Sequence, residues 1–313
     1  MSALSGILRR PGQRAAIRAQ TIRRGPAETA LPYAMIAPLL VFIGALALYP
    51  TIKTAYAAFV HNYELAPPSH FAGFANFQDV FNNSQVRGSL LNTAIYVIFG
   101  VVLSVGLGTY FGLLLQRNFR GRGIVLALMV LPWALPGVVE GVIWSWIYDP
   151  TFGVLNDTLK TVGVIHNYQL WVGTHQLQTI FFISVVQVWQ ITPLAAILVL
   201  ASLQAIPSEL YEAADVDGAT RWQSIKRITM PLIRPGLAIA VVEGLVMSLN
   251  IFDQVYVLNQ GATTGSSLMT ETYQITFGNL NFGDGYALSL LATVTTILLS
   301  VLAVKVIYRK VEY

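Results

Sequence analysis

The chain has 313 residues, of which 55% are hydrophobic and only 11% are charged, and its formal net charge is +4. A soluble domain carries about 25% charged residues, so the composition excludes an ordinary soluble fold and places most of the chain in lipid. The absence of cysteine excludes disulfides, thiolate catalysis and cysteine metal sites, and the four histidines lack the spacing of metal ligands.

Six apolar segments are long enough to be membrane-spanning helices. A hydrocarbon core about 30 Å thick needs about 20 apolar residues per helix. The segments that meet this need cover residues 31–59, 89–115, 124–148, 177–203, 235–258 and 286–307. The prediction is therefore an all-α, polytopic integral membrane protein with six transmembrane helices.

Basic residues lie mostly on one side of the predicted helices. They occur before the first helix, between the second and third, between the fourth and fifth, and after the sixth. Because loops rich in lysine and arginine stay in the cytoplasm, both termini are predicted to be cytoplasmic. This distribution accounts for the positive net charge, which gives no indication of nucleic-acid binding. The predicted domains are a basic segment 1–30, a membrane domain 31–308 and a tail 309–313.

The second and third spans each carry a stripe of residues at every fourth position. In the second span the stripe is made of small residues, which allow another helix to approach closely: Gly100, Ser104, Gly108 and Gly112. In the third span the stripe consists of Pro132, Pro136, Glu140, Trp144 and Tyr148. Two prolines should bend this helix, and Glu140 is expected to face the protein interior or a cavity because a carboxylate is costly in lipid.

The fourth and fifth spans add polar groups at membrane depth. Gln187 and Gln190 lie in the fourth span, while Asn250, Asp253 and Tyr256 lie in the fifth. Amide, carboxylate and aromatic groups together suit a polyhydroxylated solute, whose hydroxyls need hydrogen-bond partners when buried. The residues predicted to line a substrate pathway are Glu140, Trp144, Gln187, Gln190, Asn250, Asp253 and Tyr256. The alternative is that they hold the helices together through structural polar bonds.

A polar segment, residues 207–231, separates the fourth and fifth spans. Ser208 can cap a first helix, Gly218 can end it in a left-handed conformation, and Thr220 with Gln223 forms a capping box for a second helix. Pro231 is expected to end that second helix. The signals predict a compact helix–turn–helix on the cytoplasmic surface, which is better suited to docking a cytoplasmic protein than to binding DNA.

The sequence lacks the motifs of an energy-converting or hydrolytic enzyme. It contains no GxxxxGK[ST], no GxSxG and no HExxH. The chain is therefore predicted not to be an enzyme, and a pump built on it would need an ATPase partner.

The polar segment resembles the EAA motif of ATP-binding-cassette (ABC) importer permeases, which reads EAA-x3-G-x9-I-x-L-P. The matching residues are Glu212, Ala213, Ala214, Gly218, Ile228 and Pro231, and Met230 departs from the pattern by replacing leucine. Asp217, before the glycine, and the stretch FDQVYVL at 252–258 resemble the sugar-importer branch of these permeases.

This resemblance implies a type I ABC-importer permease fold in a bacterial or archaeal inner membrane. It also implies partners: a second, non-identical permease, two cytoplasmic ATPase subunits and an extracytoplasmic solute-binding protein. The chain would bind no cofactor itself, whereas the ATPase subunits would use ATP and Mg²⁺. The motif would be the coupling helix that docks into the ATPase, through Glu212, Ala213, Ala214, Asp217, Gly218, Ile228 and Pro231.

The solute implied by the resemblance is a di- or oligosaccharide, with glycerol 3-phosphate or a glycerophosphodiester as the alternative. A different reading is an ion-coupled secondary transporter that uses Asp253 or Glu140. That reading predicts inverted repeats and discontinuous helices, and no repeat is evident in the sequence. A membrane-embedded enzyme would need a convergent catalytic set, which the sequence does not supply. The polar stretch 259–285 is a candidate docking surface for the binding protein, or a plain connecting loop.

Overall fold

The computed structural model describes residues 26–63, 65 and 68–308, with the backbone alone for residues 26–32. Most of the predicted basic segment 1–30 and the tail 309–313 lie outside the described residues. The described residues fall into two units that divide between Lys53 and Thr54.

The first unit is helical. Helix α1 (Pro26–Ile43) leads through a π-helical turn (Gly44–Leu48) into α2 (Tyr49–Ala57), which extends into the second unit. Helix α1 begins before the predicted residue 31, since the fixed φ and missing N–H of Pro26 suit a first helical turn. The stretch Tyr33–Ala57 is long and apolar enough to cross a membrane, and none of its side chains is buried.

The second unit is also built from helices. Their order is α3 (Ala75–Asn82), α4 (Ser84–Leu115), α5 (Arg122–Ala134), α6 (Gly137–Ile147), α7 (Val154–Thr161), α8 (Gln176–Gln204), α9 (Glu209–Val216), α10 (Arg221–Ser224), α11 (Met230–Leu232), α12 (Arg234–Leu249), α13 (Asp253–Leu258), α14 (Leu268–Tyr273) and α15 (Phe282–Ile307). Two π-helical turns, Ile225–Thr229 and Gln274–Gly278, interrupt this series. Besides these helices, the described residues include a short antiparallel hairpin, in which β1 (Val60–His61) pairs with β2 (His70–Phe71).

The predicted all-α polytopic fold is confirmed. Across the described residues, five helical stretches are long and apolar enough to cross a membrane, and α5 with α6 supply a sixth if that bent pair is one span. The helices begin and end within a few residues of the predicted spans, because the apolar runs that lipid requires also fix helix length.

Helices α4 and α8 form the centre of the second unit. The small residues of α4 are all buried: Gly100, Ser104, Gly108 and Gly112. A β-carbon at Gly108 would lie 2.6 Å from the Cβ of Ala195, and one at Gly112 would lie 2.9 Å from Cγ1 of Val199. Because α8 lies directly against the backbone of α4, the predicted close packing is confirmed.

Buried polar side chains near the start of α4 hold the segment between α13 and α14. Asn92 donates to the carbonyl of Ser266 at 2.9 Å, and the Tyr96 hydroxyl donates to the carbonyl of Gly265 at 2.9 Å. These bonds satisfy backbone groups that would otherwise be buried without partners. The stretch 259–285, for which a plain loop was one expectation, is thus tied to the core and contains α14 and a π-helical turn.

Candidate functional site

The third span is broken at membrane depth. Leu135 and Pro136 have extended backbones, with ψ of 141° and 137°, and α5 meets α6 at 100°. A proline removes a helical hydrogen bond and disfavours helical geometry in the residue before it, which explains a break at this pair. The predicted bend at the prolines is confirmed, but the expectation of a single stripe is wrong, because Pro132 lies on α5 while Glu140 and Trp144 lie on α6.

The fifth span is also broken, between α12 and α13. Phe252 has φ −132° and ψ −62°, and helical geometry resumes at Asp253. The Ser267 hydroxyl donates to the carbonyl of Ile251 at 2.7 Å, and the Asn250 side chain donates to the carbonyl of Val246 at 2.8 Å. Two of the carbonyls at the break therefore keep hydrogen-bond partners, as non-helical backbone at membrane depth requires.

The two half-helices that follow these breaks, α6 and α13, pack closely together. Gly137 lies directly against the carboxylate of Asp253. A β-carbon at Gly141 would lie 2.7 Å from Cβ of Val257. Two glycines one turn apart thus let α13 approach the backbone of α6, which brings Asp253 and Glu140 to the same region.

A single side chain, Gln254, connects three spans at this point. Its amide nitrogen donates to Oε2 of Glu140 at 3.0 Å and to Oε1 of Gln190 at 2.8 Å. Glu140 is fully buried, and its Oε1 has no hydrogen-bond partner among the described residues. We call Glu140, Gln190, Asp253 and Gln254 the polar cluster. Gln254 was not predicted from the sequence. The prediction assumed an unbroken fifth helix, and in such a helix Asp253, not Gln254, shares a face with Asn250.

The other predicted pathway residues divide into two groups. Gln187 is 1% exposed and lies over Gly100 beside Ser248, so it sits between helices α4, α8 and α12 rather than on an open surface. Trp144 is half-buried, with its ring 5.6 Å from that of Trp189. Asn250 and Tyr256 are exposed. The structure thus brings Glu140, Gln190 and Asp253 together and leaves Gln187 at a helix interface.

The segment that resembles the EAA motif forms the predicted pair of short helices, with two differences. Gly218 has φ +72°, and Thr220 and Gln223 form the predicted capping box. Ser208 has helical backbone angles and makes no capping bond, so the predicted cap is wrong. Pro231 does not end the second helix: α10 continues through the π-helical turn and α11, and α12 begins at Arg234.

The exposed side of this helix pair carries both charged and apolar groups. Glu212, Ala213 and Asp217 are exposed, whereas Ala214, Ile228 and Pro231 are half-buried. Val216 is 88% exposed and Trp222 is 71% exposed. These two apolar residues were not predicted from the sequence as contact residues. An aromatic residue within a polar segment could have indicated a binding anchor.

The sequence matches a known protein family over most of its length. Residues 100–312 match the family described as binding-protein-dependent transport system inner membrane component. This range includes both breaks, the polar cluster and the paired short helices.

Individual relatives cover nearly the whole chain. The trehalose/maltose transport system permease protein MalF of Thermococcus litoralis is 33% identical over 285 residues, which cover 91% of this chain and 94% of that protein. The diacetylchitobiose uptake system permease protein DasB of Streptomyces coelicolor is 30% identical over 292 residues, with 90% and 88% covered. A solved structure of a bacterial alginate ABC transporter, in complex with an alginate pentasaccharide-bound periplasmic protein, is similar in fold, with a TM-score of 0.76, 23% identity, and 88% of this chain and 94% of that chain covered.

Proposed function

Because the chain belongs to the family of binding-protein-dependent transport system inner membrane components, we propose that it forms part of the membrane pathway of an ABC importer for a di- or oligosaccharide. It is a multi-pass membrane protein and a transporter subunit without an ATPase site of its own. ATP would be used by partner subunits. A binding protein would deliver the solute, as the family description implies, and a second, non-identical permease with two ATPase subunits would complete the assembly.

The observation that carries this proposal is the pair of short helices, α9 and α10, in a chain that is otherwise largely apolar. Gly218, at φ +72°, permits the tight turn between them, and the Thr220–Gln223 capping box fixes the second helix. The exposed Trp222 and Val216 offer apolar anchors of the kind that interfaces bury. We infer that this face docks into the ATPase on the cytoplasmic side, which is also the side that the distribution of basic residues predicts for both termini.

Motion at this docking face has a direct route to the polar cluster. From α10 to α12 the chain is helical almost without interruption: Met230 N–H bonds to the carbonyl of Ile225, and Ile233 N–H bonds to the carbonyl of Thr229. Helix α12 has 16 residues and is therefore about 24 Å long. Its far end is the break at Asn250, next to Asp253 and Gln254. Rigid-body movement of α10 would therefore reach the cluster.

The groups at the cluster favour a sugar over a phosphorylated solute. Carboxylates and amides bind hydroxyls, and the adjacent Trp144 and Tyr256 offer flat apolar faces. The cluster contains no lysine or arginine, the residues that bind phosphate most strongly. Curated relatives are named as trehalose/maltose and diacetylchitobiose permeases, which supports a disaccharide for this chain.

The two broken spans do not by themselves exclude a secondary transporter, since that reading also predicts discontinuous helices. The test is uptake by proteoliposomes that contain the permease with its co-purified partners and binding protein. We expect uptake of labelled trehalose or maltose with internal ATP and binding protein, and none with a non-hydrolysable analogue. Uptake driven by a proton or sodium gradient without ATP would contradict the proposal.

A further inference from the structure

A row of aromatic rings extends from the break in the fifth span across the segment between α13 and α15. We call Phe252, Tyr256, Tyr273 and Phe277 the aromatic ladder. Phe252 and Tyr256 stack with ring centroids 5.3 Å apart and planes within 14°, and Tyr273 lies 5.4 Å from Tyr256 and 5.2 Å from Phe277. The ladder begins at the polar cluster, because Phe252 directly precedes Asp253.

Three rings of the ladder are exposed on the surface of this chain. Tyr256 is 40% exposed, Tyr273 is 39% exposed and Phe277 is 59% exposed. The segment that holds them is rigid: Ser267 and Thr270 form a capping box at the start of α14, and Leu268 N–H donates to Thr93 Oγ1 at 2.8 Å. A fixed backbone carrying accessible rings presents a preformed binding surface, which loses little conformational entropy when a ligand binds.

A buried carboxylate lies beside the ladder. Glu271 is 4% exposed, and burial raises the pKa of its carboxyl group. It lines a cavity of about 30 Å³ together with Tyr256, Thr270 and Gln274. A space of this size holds about one or two water molecules, so it accepts a hydroxyl group but not a sugar ring. None of the hydrogen bonds among the described residues uses the Glu271 carboxylate, and its oxygens are not among the fully buried atoms that lack a partner. They are therefore open to a hydroxyl group that enters the cavity.

These features together match one chemical class of ligand. A pyranose has an apolar face that stacks on an aromatic ring and hydroxyls around its rim that bond carboxylates and amides. Membrane-interface aromatics, in contrast, serve as anchors through their amphipathic rings, and such anchoring does not call for a buried carboxylate beneath one of them. Continuity with the polar cluster further ties the ladder to the pathway.

We propose that the aromatic ladder and the Glu271 cavity form a second saccharide subsite, on which a sugar ring stacks against Tyr256 and Tyr273 while one hydroxyl enters the cavity. This inference rests on the proposed function and adds a staging position before the polar cluster. The sugar would pass along the ladder from Phe277 towards Phe252.

The test compares ring-removing and ring-retaining variants in the assembled transporter. Proteoliposomes carry the permease, its partner subunits and the binding protein loaded with trehalose or maltose. We expect Tyr273→Leu to lower sugar transported per ATP hydrolysed by about tenfold, and Tyr273→Phe to stay within about twofold of the wild type, since it keeps the ring. Glu271→Ala should act like Tyr273→Leu, whereas Glu271→Gln, which keeps an acceptor oxygen, should retain most of the transport.

A matched control is Tyr110→Leu, since Tyr110 is 57% exposed and also pairs with an aromatic neighbour, Phe111, at 5.6 Å. It should leave transport unchanged. The binding-protein concentration that half-saturates ATPase stimulation should also be unchanged in every ladder variant; a large rise in Tyr273→Leu would instead identify a docking surface for the binding protein and overturn the subsite. Unchanged transport in both Tyr273→Leu and Glu271→Ala would overturn it as well. Failure of the wild type to import either sugar with ATP would overturn the proposed function itself, which is a distinguishable result.

Discussion

Removing the side chain that joins three spans should destabilise the second unit measurably. Gln254 donates to Glu140 at 3.0 Å and to Gln190 at 2.8 Å. The substitution Gln254→Leu keeps a similar volume but leaves the fully buried Glu140 with neither carboxyl oxygen paired. The free energy of unfolding should therefore fall by more than the contribution of two ordinary hydrogen bonds.

The expected magnitude has two parts. A hydrogen bond between membrane helices contributes about 0.6 kcal/mol on average, so the two bonds amount to about 1 kcal/mol. Leaving a buried polar group without a partner costs about 1–3 kcal/mol. We therefore expect Gln254→Leu to lower the free energy of unfolding by about 2–4 kcal/mol.

The assay is reversible SDS titration of the purified chain in mixed micelles, with a double-mutant cycle. In a Glu140→Leu background the buried carboxyl group that Gln254 serves is absent, so Gln254→Leu should cost less there by about 1 kcal/mol or more. Gln204→Leu, at an exposed position, is the control and should change stability by less than about 0.5 kcal/mol. Equal costs of Gln254→Leu in the two backgrounds would refute the reasoning.

Three further substitutions test the docking face and the helix packing. Gly218→Val places a β-branched residue at φ +72°, which costs about 1–3 kcal/mol; ATPase stimulation by loaded binding protein should fall severalfold, and full stimulation would contradict a rigid coupling turn. Gly108→Leu adds atoms at a position where even a β-carbon would lie 2.6 Å from its neighbour, so the yield of folded protein in size-exclusion chromatography should drop. Gly106→Leu is the control, since a β-carbon there would have nothing within 4 Å, and its yield should not drop. Equal yields would count against close packing. Trp222→Ala removes a 71% exposed ring and should weaken ATPase-subunit binding by about 2 kcal/mol; Trp146→Ala, 64% exposed, should not, and retention of the subunit by both variants would exclude Trp222 as an anchor.

The features that depend on local chemistry could be predicted from the sequence. Apolar runs of about 20 residues are fixed by bilayer thickness, so the spans were located to within a few residues. The small-residue stripe of α4 predicted its packing on α8, because only small side chains permit direct contact between helix backbones. The Thr220–Gln223 capping box depends on two residues three positions apart, and the structure contains it.

The features that depend on tertiary contacts could not be predicted in the same way. The prolines of the third span indicated a bend, but they predicted neither its angle of 100° nor the close packing of α6 on α13. In the sequence Gln254 is an ordinary polar residue. Its contact with Glu140 depends on the break at Phe252, which the sequence did not predict. The fold of the 259–285 stretch depends on hydrogen bonds from Asn92 and Tyr96, which lie far away in the sequence.

The docking face and the fifth span are joined through the π-helical turn Ile225–Thr229. A π turn holds one residue more than the α-helical ladder around it, because its hydrogen bonds reach five residues along the chain where α-helical bonds reach four. The extra residue widens the helix locally and leaves the hydrogen-bonded connection from α10 to α12 in place. Deleting one residue within this turn should therefore restore α-helical bonding and keep Trp222 close to its present orientation relative to α12, so such a deletion should be tolerated better than one in the middle of α12.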